Sequence, residues 1–439
     1  MRILLTSGLN PSKFSGMEFL ELQIFVLVLI IISTVAVLVS YIRLPYTIAL
    51  VIVGLIIGHF KLLPSMQFTP GLFTTVLLPV LIFEGALNIP LRELKRSWRT
   101  ILILAIPGFL LAMFICSLVI NLGIGIDWSY AFLLGALISA TDPVSVLAIF
   151  QKLGIDKKLV VTLEGESLLN DGIAIVIFQI ILVSLVNGEF TVIGAIGSFL
   201  WVALGGFALG LVLGIISAFV LKRIDNHLIH ATITAILVYS TVLLAGLLRE
   251  SGIIAVLVAG IIVGNYGFRA RAGHTSKITI DTIWEFAAFI VNSIIFLFIG
   301  IKISDVSLTS YIIPILIAFG ASLISRSAMI YSLTPLGSRL EGRIPGNHRH
   351  VLVWGGLRGS VALALVLSIP RDLPQYNQVL SITFGVVLLS LLLQGLTINP
   401  MLSLLGLSGK IRKREKESKK DDKMKKSKTE KVTLKKYPK

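Results

Sequence analysis

Long apolar runs follow one another along almost the whole of this sequence. A hydrocarbon layer about 30 Å thick is crossed by about 20 apolar residues in a helix, and backbone groups cannot be left unpaired inside it. Such runs fall at 18–42, 46–60, 71–88, 99–124, 128–150, 159–186, 191–221, 228–248, 251–266, 279–302, 308–332, 350–369 and 378–406, separated by charged residues, glycine or proline. The pattern predicts about 13 spans, with those at 46–60 and 251–266 short for a full crossing. A chain that is 55% hydrophobic and 14% charged cannot cover a water-soluble surface of this size. The fold class is therefore an all-α polytopic membrane protein whose main partner is the lipid bilayer.

A net charge of +16 raises the question of a nucleic-acid partner, but its distribution argues against one. Residues 410–439 carry about 15 basic and 5 acidic side chains. They read as a solvated basic tail able to touch anionic headgroups. Residues 1–17 lack the apolar centre of a signal peptide and read as an N-terminal extension. One cysteine, Cys116, excludes a disulfide framework, and no histidine pair has a metal-ligand spacing such as HExxH. No cofactor is expected.

The loops orient the chain. With the tail in the cytoplasm and the N terminus outside, the inside loops hold about 16 Lys and Arg, among them Arg43, Arg92, Lys95, Arg96, Arg99, Lys152, Arg269, Arg271 and Arg343; the outside set holds about 6. That asymmetry is the one expected of a multi-pass protein of a cell membrane.

An ionisable side chain inside a span costs several kcal/mol unless it faces a partner or water. Glu84, Asp142, Glu164, Glu166, Asp171, Glu285, Arg326 and Arg358 are such residues. Asp142 lies in ISATDPVSV, where Pro143 donates no backbone hydrogen bond and crowds the preceding turn. A helix break is predicted at 141–143, with backbone carbonyls near Thr141 freed to face a cavity. Asp171 lies in EGESLLNDGIAIVIF, with Ser167 one turn before it and Glu166 and Asn170 paired on the neighbouring stripe. Carboxylate, amide and hydroxyl oxygens gathered there suit a hard cation such as sodium. A second break is predicted in WGGLRGSV, at Gly355, Gly356 and Gly359 around Arg358. Arg358 is placed to offset negative charge near the two aspartates. The breaks fall in spans five and twelve, which correspond if spans one to six and eight to thirteen are inverted repeats. Paired interrupted helices of this kind mark the central site of a secondary transporter.

The strings FEGALN, ATDPVSVLAIF, EGESLLNDGIAIVIF, IWEFAAFIVNSIIFLFIG, WGGLRGSVALAL and LLLQGLTINPMLSLLGL resemble, in order, the NhaP-type branch of the monovalent cation/proton antiporters, relatives of the animal sodium/proton exchangers. The resemblance covers about residues 20–406. It implies a homodimer that exchanges sodium (or lithium) for protons in pH homeostasis, with broken helices five and twelve crossing. It divides the chain into a scaffold (18–90 and 191–302) and a moving transport domain (99–186 and 308–406). Carried over by position, the ion ligands are Asp142, Asp171, Ser167, Glu84 and the carbonyl of Thr141. Glu166 stands beside the ion path, Asn170 next to the essential aspartate, and Glu285 and Arg326 form a charged pair tying spans ten and eleven.

The expected chemistry is competition: one carboxylate site takes a proton or a cation but not both, which couples the two fluxes. An Asn-Asp pair at 170–171, in place of the two aspartates of the electrogenic relatives, implies one sodium per proton. A potassium/proton antiporter is the main alternative. An intramembrane aspartyl protease would need a peptide-sized groove and a GxGD string that the sequence lacks. A channel would call for repeated polar rings in place of single charges on several spans.

Overall fold

A computed structural model describes residues 11–41, 45–63, 70–143, 146–147, 149–150, 157–188, 191–268, 274–304, 306, 308–341 and 345–407. The basic tail and the loop residues Arg43, Lys152, Arg269, Arg271 and Arg343 lie outside the described residues. The described secondary structure is entirely helical: α1 (Pro11–Tyr41), α2 (Tyr46–His59), α3 (Phe73–Asn88), α4 (Leu91–Ile124), α5 (Trp128–Ser139), α6 (Lys157–Asn187), α7 (Val192–Leu221), α8 (His227–Leu248), α9 (Gly252–Gly267), α10 (His274–Ile303), α11 (Ile312–Glu341), α12 (Gly346–Trp354), α13 (Ser360–Leu367) and α14 (Tyr376–Leu404). Eight of these segments are long and apolar enough to cross a membrane, and α2, α3, α5 and α9 are shorter apolar helices.

Each apolar run thus carries a helix or a pair of half-helices, with several ends shifted, two of them at the start of a helix. α1 begins at Pro11, inside the segment read as an extension. α4 begins at Leu91, so that Arg92, Lys95, Arg96 and Arg99, expected in a loop, lie on its exposed face. The reason is amphipathicity: LRELKRSWRTILI alternates charge and apolar residues at helical spacing, and Ser97, Thr100 and Ile101 turn inward. Within α4, Pro107 sits in a π-helical turn, Leu104–Gly108, which absorbs its missing N–H without ending the helix.

Where lipid offers helices no hydrophobic incentive to associate, small residues let backbones approach. α2 lies along α10 at Gly54 and Gly300: a methyl group on Gly54 would meet the Gly300 Cα at 3.0 Å. α7 meets α9 at Gly210, where a Cβ would stand 2.9 Å from the Ala255 Cα. α9 also packs on α3, with Gly260 against Ala86 and Phe83 and Gly264 against the Leu87 carbonyl. Further along the chain α4 packs on α5 and α11, α5 on α6, and α13 on α5, α6 and α14.

The turn from α3 into α4 is fastened by a side chain that carried no signal in the sequence. Asn265, in the π-helical turn Val263–Gly267, accepts from the Leu91 N–H (2.8 Å) and donates to the Ile89 and Ile261 carbonyls (2.9 Å each). One amide thereby satisfies backbone groups on both sides of Pro90, which supplies no N–H of its own. Asn265→Ala leaves them unpaired and should cost about 1–3 kcal/mol. A clearly lowered thermal midpoint of the purified protein is the expected result; an unchanged midpoint would show that the turn does not depend on this clamp.

Candidate functional site

Both predicted breaks are present, and they touch. α5 stops at Ser139, Ala140 turns to an extended conformation, and helical backbone is found again by Val146. α12 stops at Trp354 and α13 starts at Ser360. Between them the Asp142 N–H donates to the Leu357 carbonyl (2.8 Å), a single strand-like bond at the crossing. Gly359 is required by proximity: a Cβ there would meet the Asp142 Cγ at 2.6 Å.

Unwound backbone in a membrane must find partners, and here they can be followed one by one. The Gly356 carbonyl accepts from Arg358 Nη1 (2.6 Å), and the Arg358 N–H donates to Ser390 Oγ (3.0 Å). Ser390 donates on to Gln394 Oε1 (2.6 Å), and Gln394 Nε2 returns to the Trp354 carbonyl (3.2 Å). On the α5 side, the Thr141 carbonyl accepts from Ser167 Oγ (2.6 Å), and Asn170 Nδ2 approaches the Ser139 carbonyl and Thr141 Oγ1 (3.4 Å each). Asp142 Oδ2 accepts from the Ser360 N–H (3.3 Å) and hydroxyl (3.1 Å), at the first residue of α13. That placement suits the positive end of a helix.

Asp171 is 7% exposed on α6, and its Oδ1 has no hydrogen-bond partner among the described residues; nor has the Oδ1 of Asn170. Buried oxygens without donors are uncommon and call for an explanation. Thr141, Asp142, Ser167, Asn170 and Asp171, five of the expected site residues, are gathered at the crossing.

Of the other predicted residues, Glu166 keeps the pairing with Asn170 that its spacing predicted, and Arg326, Glu285, Arg358 and Glu84 are placed differently from expectation. Arg326 does not pair with Glu285. Its guanidinium forks onto Glu166, Nη1 to Oε1 and Nη2 to Oε2 at 2.7 Å each, while Glu285 is exposed on α10. The fork is 2% and 0% exposed at its two residues, where a bidentate geometry is what makes a buried pair tolerable. Arg326 Nε reaches the Leu352 carbonyl (3.3 Å), and Asn170 Nδ2 also donates to Glu166 Oε1 (3.2 Å). Glu166 thus organises the break through Asn170 and Arg326. Arg358 directs its donors to the Gly356 and Ser322 carbonyls and to neither aspartate. Glu84 bonds to Asn88 of its own helix (2.9 Å) and lies in electrostatic range of Glu164, Asp281 and Glu285, not in the crossing. Among the described residues, no cluster of His, Cys, Asp and Glu has metal-site geometry.

Sequence reasoning missed Ser360, Ser390 and Gln394. Gln394 did leave a trace, as a polar residue within the apolar run 378–406. Ser360 and Ser390 left none, since serine is common in spans.

Removing one partner of a buried pair strands the other's charge. Arg326→Ala should therefore lose about 3–5 kcal/mol and most of the monodisperse protein. The double replacement Glu166→Gln with Arg326→Met should recover much of it, read by fluorescence-detected thermal unfolding in detergent. An Arg326→Ala protein as stable as the parent would mean that the fork is not structural.

The family profile described as sodium/hydrogen exchanger, transmembrane, matches residues 25–404. The low-affinity Na(+)/H(+) antiporter NhaS1 of Synechocystis is 38% identical over 84% of this chain and 71% of its own length. The Na(+)/H(+) antiporter NhaG of Bacillus atrophaeus is 40% identical over 84% and 72%. The structure of the sodium proton antiporter MjNhaP1 from Methanocaldococcus jannaschii superposes with a TM-score of 0.72 over 90% of this chain and 99% of that one, at 23% identity, a likeness of fold. With crossed, interrupted helices in a membrane bundle and a family match across nearly all of its described residues, the chain is a transporter and not an enzyme, and it belongs to the transmembrane sodium/hydrogen exchanger family, in its NhaP-type branch.

Proposed function

We propose that this protein exchanges sodium ions for protons across a cell membrane, with Asp171 as the group that takes either cargo. The observation that carries the reading is the unpartnered, buried Oδ1 of Asp171 beside the crossing of the two broken helices. A carboxylate with little water around it gains from a proton or from a cation, and both cannot be held at once. Asp142, the Thr141 carbonyl, Ser167 and the free oxygen of Asn170 are the other hard-oxygen donors gathered there. Glu84 is assigned to the approach and not to the first contacts. The names of the relatives favour sodium over potassium.

Stoichiometry follows from the residue beside the carrier. Asn170 has no titratable proton, and Glu166 is committed to Arg326. One proton per sodium is therefore proposed. Packing supports a division in which α4–α6 and α11–α14 move against α1–α3 and α7–α10, since close helix contacts run mainly within each set. Homodimer assembly through the second set, and a cytoplasmic C-terminal tail, complete the reading.

Reconstituted in vesicles with an imposed pH gradient, the protein should release protons on addition of sodium. Asp171→Asn and Asp142→Asn should each reduce exchange at least 100-fold while the protein stays folded; exchange at the parent rate in either would remove that residue from the mechanism. An imposed membrane potential should leave the rate nearly unchanged, and strongly potential-driven exchange would refute the one-for-one ratio.

A further inference from the structure

A cavity of about 740 Å³ lies among α4, α5, α6 and α7, outside the crossing. Its walls are apolar over most of their length: Ile106 and Leu110 of α4, Ile173, Ile177 and Ile181 of α6, and Ile196 and Phe199 of α7. Its polar groups gather at one end, with Ser129 at the start of α5 and Ser184 and Gly188 at the close of α6. Trp128 lines the same end and is 46% exposed. Three helix termini meet there: α5 begins at Trp128, α6 ends at Asn187 and α7 begins at Val192. That end therefore stands at a bilayer surface, the depth at which tryptophan is enriched. The other end, at Ile173, is two residues from Asp171 in the sequence.

We propose that this cavity is a binding site for an acyl chain of a phospholipid, with the headgroup at the Trp128–Gly188 end. Two magnitudes and one polarity argue for it. From Gly188 to Ile173 the helix rises about 22 Å, the length of an extended fatty acyl tail. A tail about 5 Å wide over that depth fills roughly 430 Å³. The apolar depth and polar mouth match an amphiphile that stands along the membrane normal. The mouth is open beside Ile196 and Leu200, which are 55% and 48% exposed, so a tail can enter sideways from the bilayer.

The seat lies between α6, which carries Asp171, and α7. A fluid chain between them leaves α6 free to shift against α7; this consequence rests on the alternating-access reading, whereas binding itself does not.

The test uses the full chain in vesicles that contain phosphatidylglycerol with a photoreactive diazirine near the end of one tail. Mapped by mass spectrometry, label should concentrate on residues 173–185 and 195–200. Filling the cavity from either wall, with Ile177→Trp or Ala195→Trp, should lower that labelling at least fivefold and leave labelling at Leu204 and Phe207 unchanged. Two walls are used so that a misfolded variant does not decide the matter. Label spread evenly over every lipid-facing helix, or undiminished in both variants, would overturn the proposal and reduce the lipid to an annular one. Labelling is read without transport: parent-like exchange in Asp171→Asn would sink the carboxylate reading and leave this one standing.

Discussion

The structure turns on what becomes of backbone hydrogen-bonding groups where two membrane helices are broken at the same depth. Neither lipid nor bulk water can serve them there, so each break has to be completed by side chains or by the other break. The bond from the Asp142 N–H to the Leu357 carbonyl does the latter. Around it, Ser167, Asn170, Arg358, Ser390, Gln394 and the Asp142 carboxylate, which accepts the Ser360 N–H, supply the rest. The donors available inside this apolar bundle are used first for the backbone, and Asp171 is left with an oxygen that none of them reaches.

A second layer holds that arrangement in place. Glu166 and Arg326 neutralise each other across α6 and α11, and both extend to the breaks, Glu166 through Asn170 and Arg326 through the Leu352 carbonyl. A methyl group on Gly356 would meet Arg326 Nε at 2.8 Å, so the fork and the glycine hinge fit only together. The Asn265 clamp acts at a distance from this, fixing where α4 leaves α3.

Much of this was legible in the residue order, for physical reasons. Proline after Asp142 and paired glycines before Arg358 have backbone consequences that no tertiary context removes, so both breaks could be read directly. Apolar length did the same for the helices. Charge partners were not legible: Arg326 is within reach of several acids in a bundle, and only the packing of α11 on α4 and α12, with α4 against α6, selects Glu166 over Glu285. The start of α4 was hidden because a charged, amphipathic first half looks like a loop to a test based on continuous hydropathy. Asn265 gave no sign, since one amide in an apolar stretch does not say which distant backbone it serves.

Asp142 occupies both sides of this design at once. Its amide ties the two interrupted helices together, while its carboxylate receives the two donors at the head of α13. Any cation that draws on that oxygen competes with Ser360 for it. Loading the carrier would then loosen or retighten a joint between the halves of the bundle, making arrival and departure of cargo a mechanical event as well as an electrostatic one.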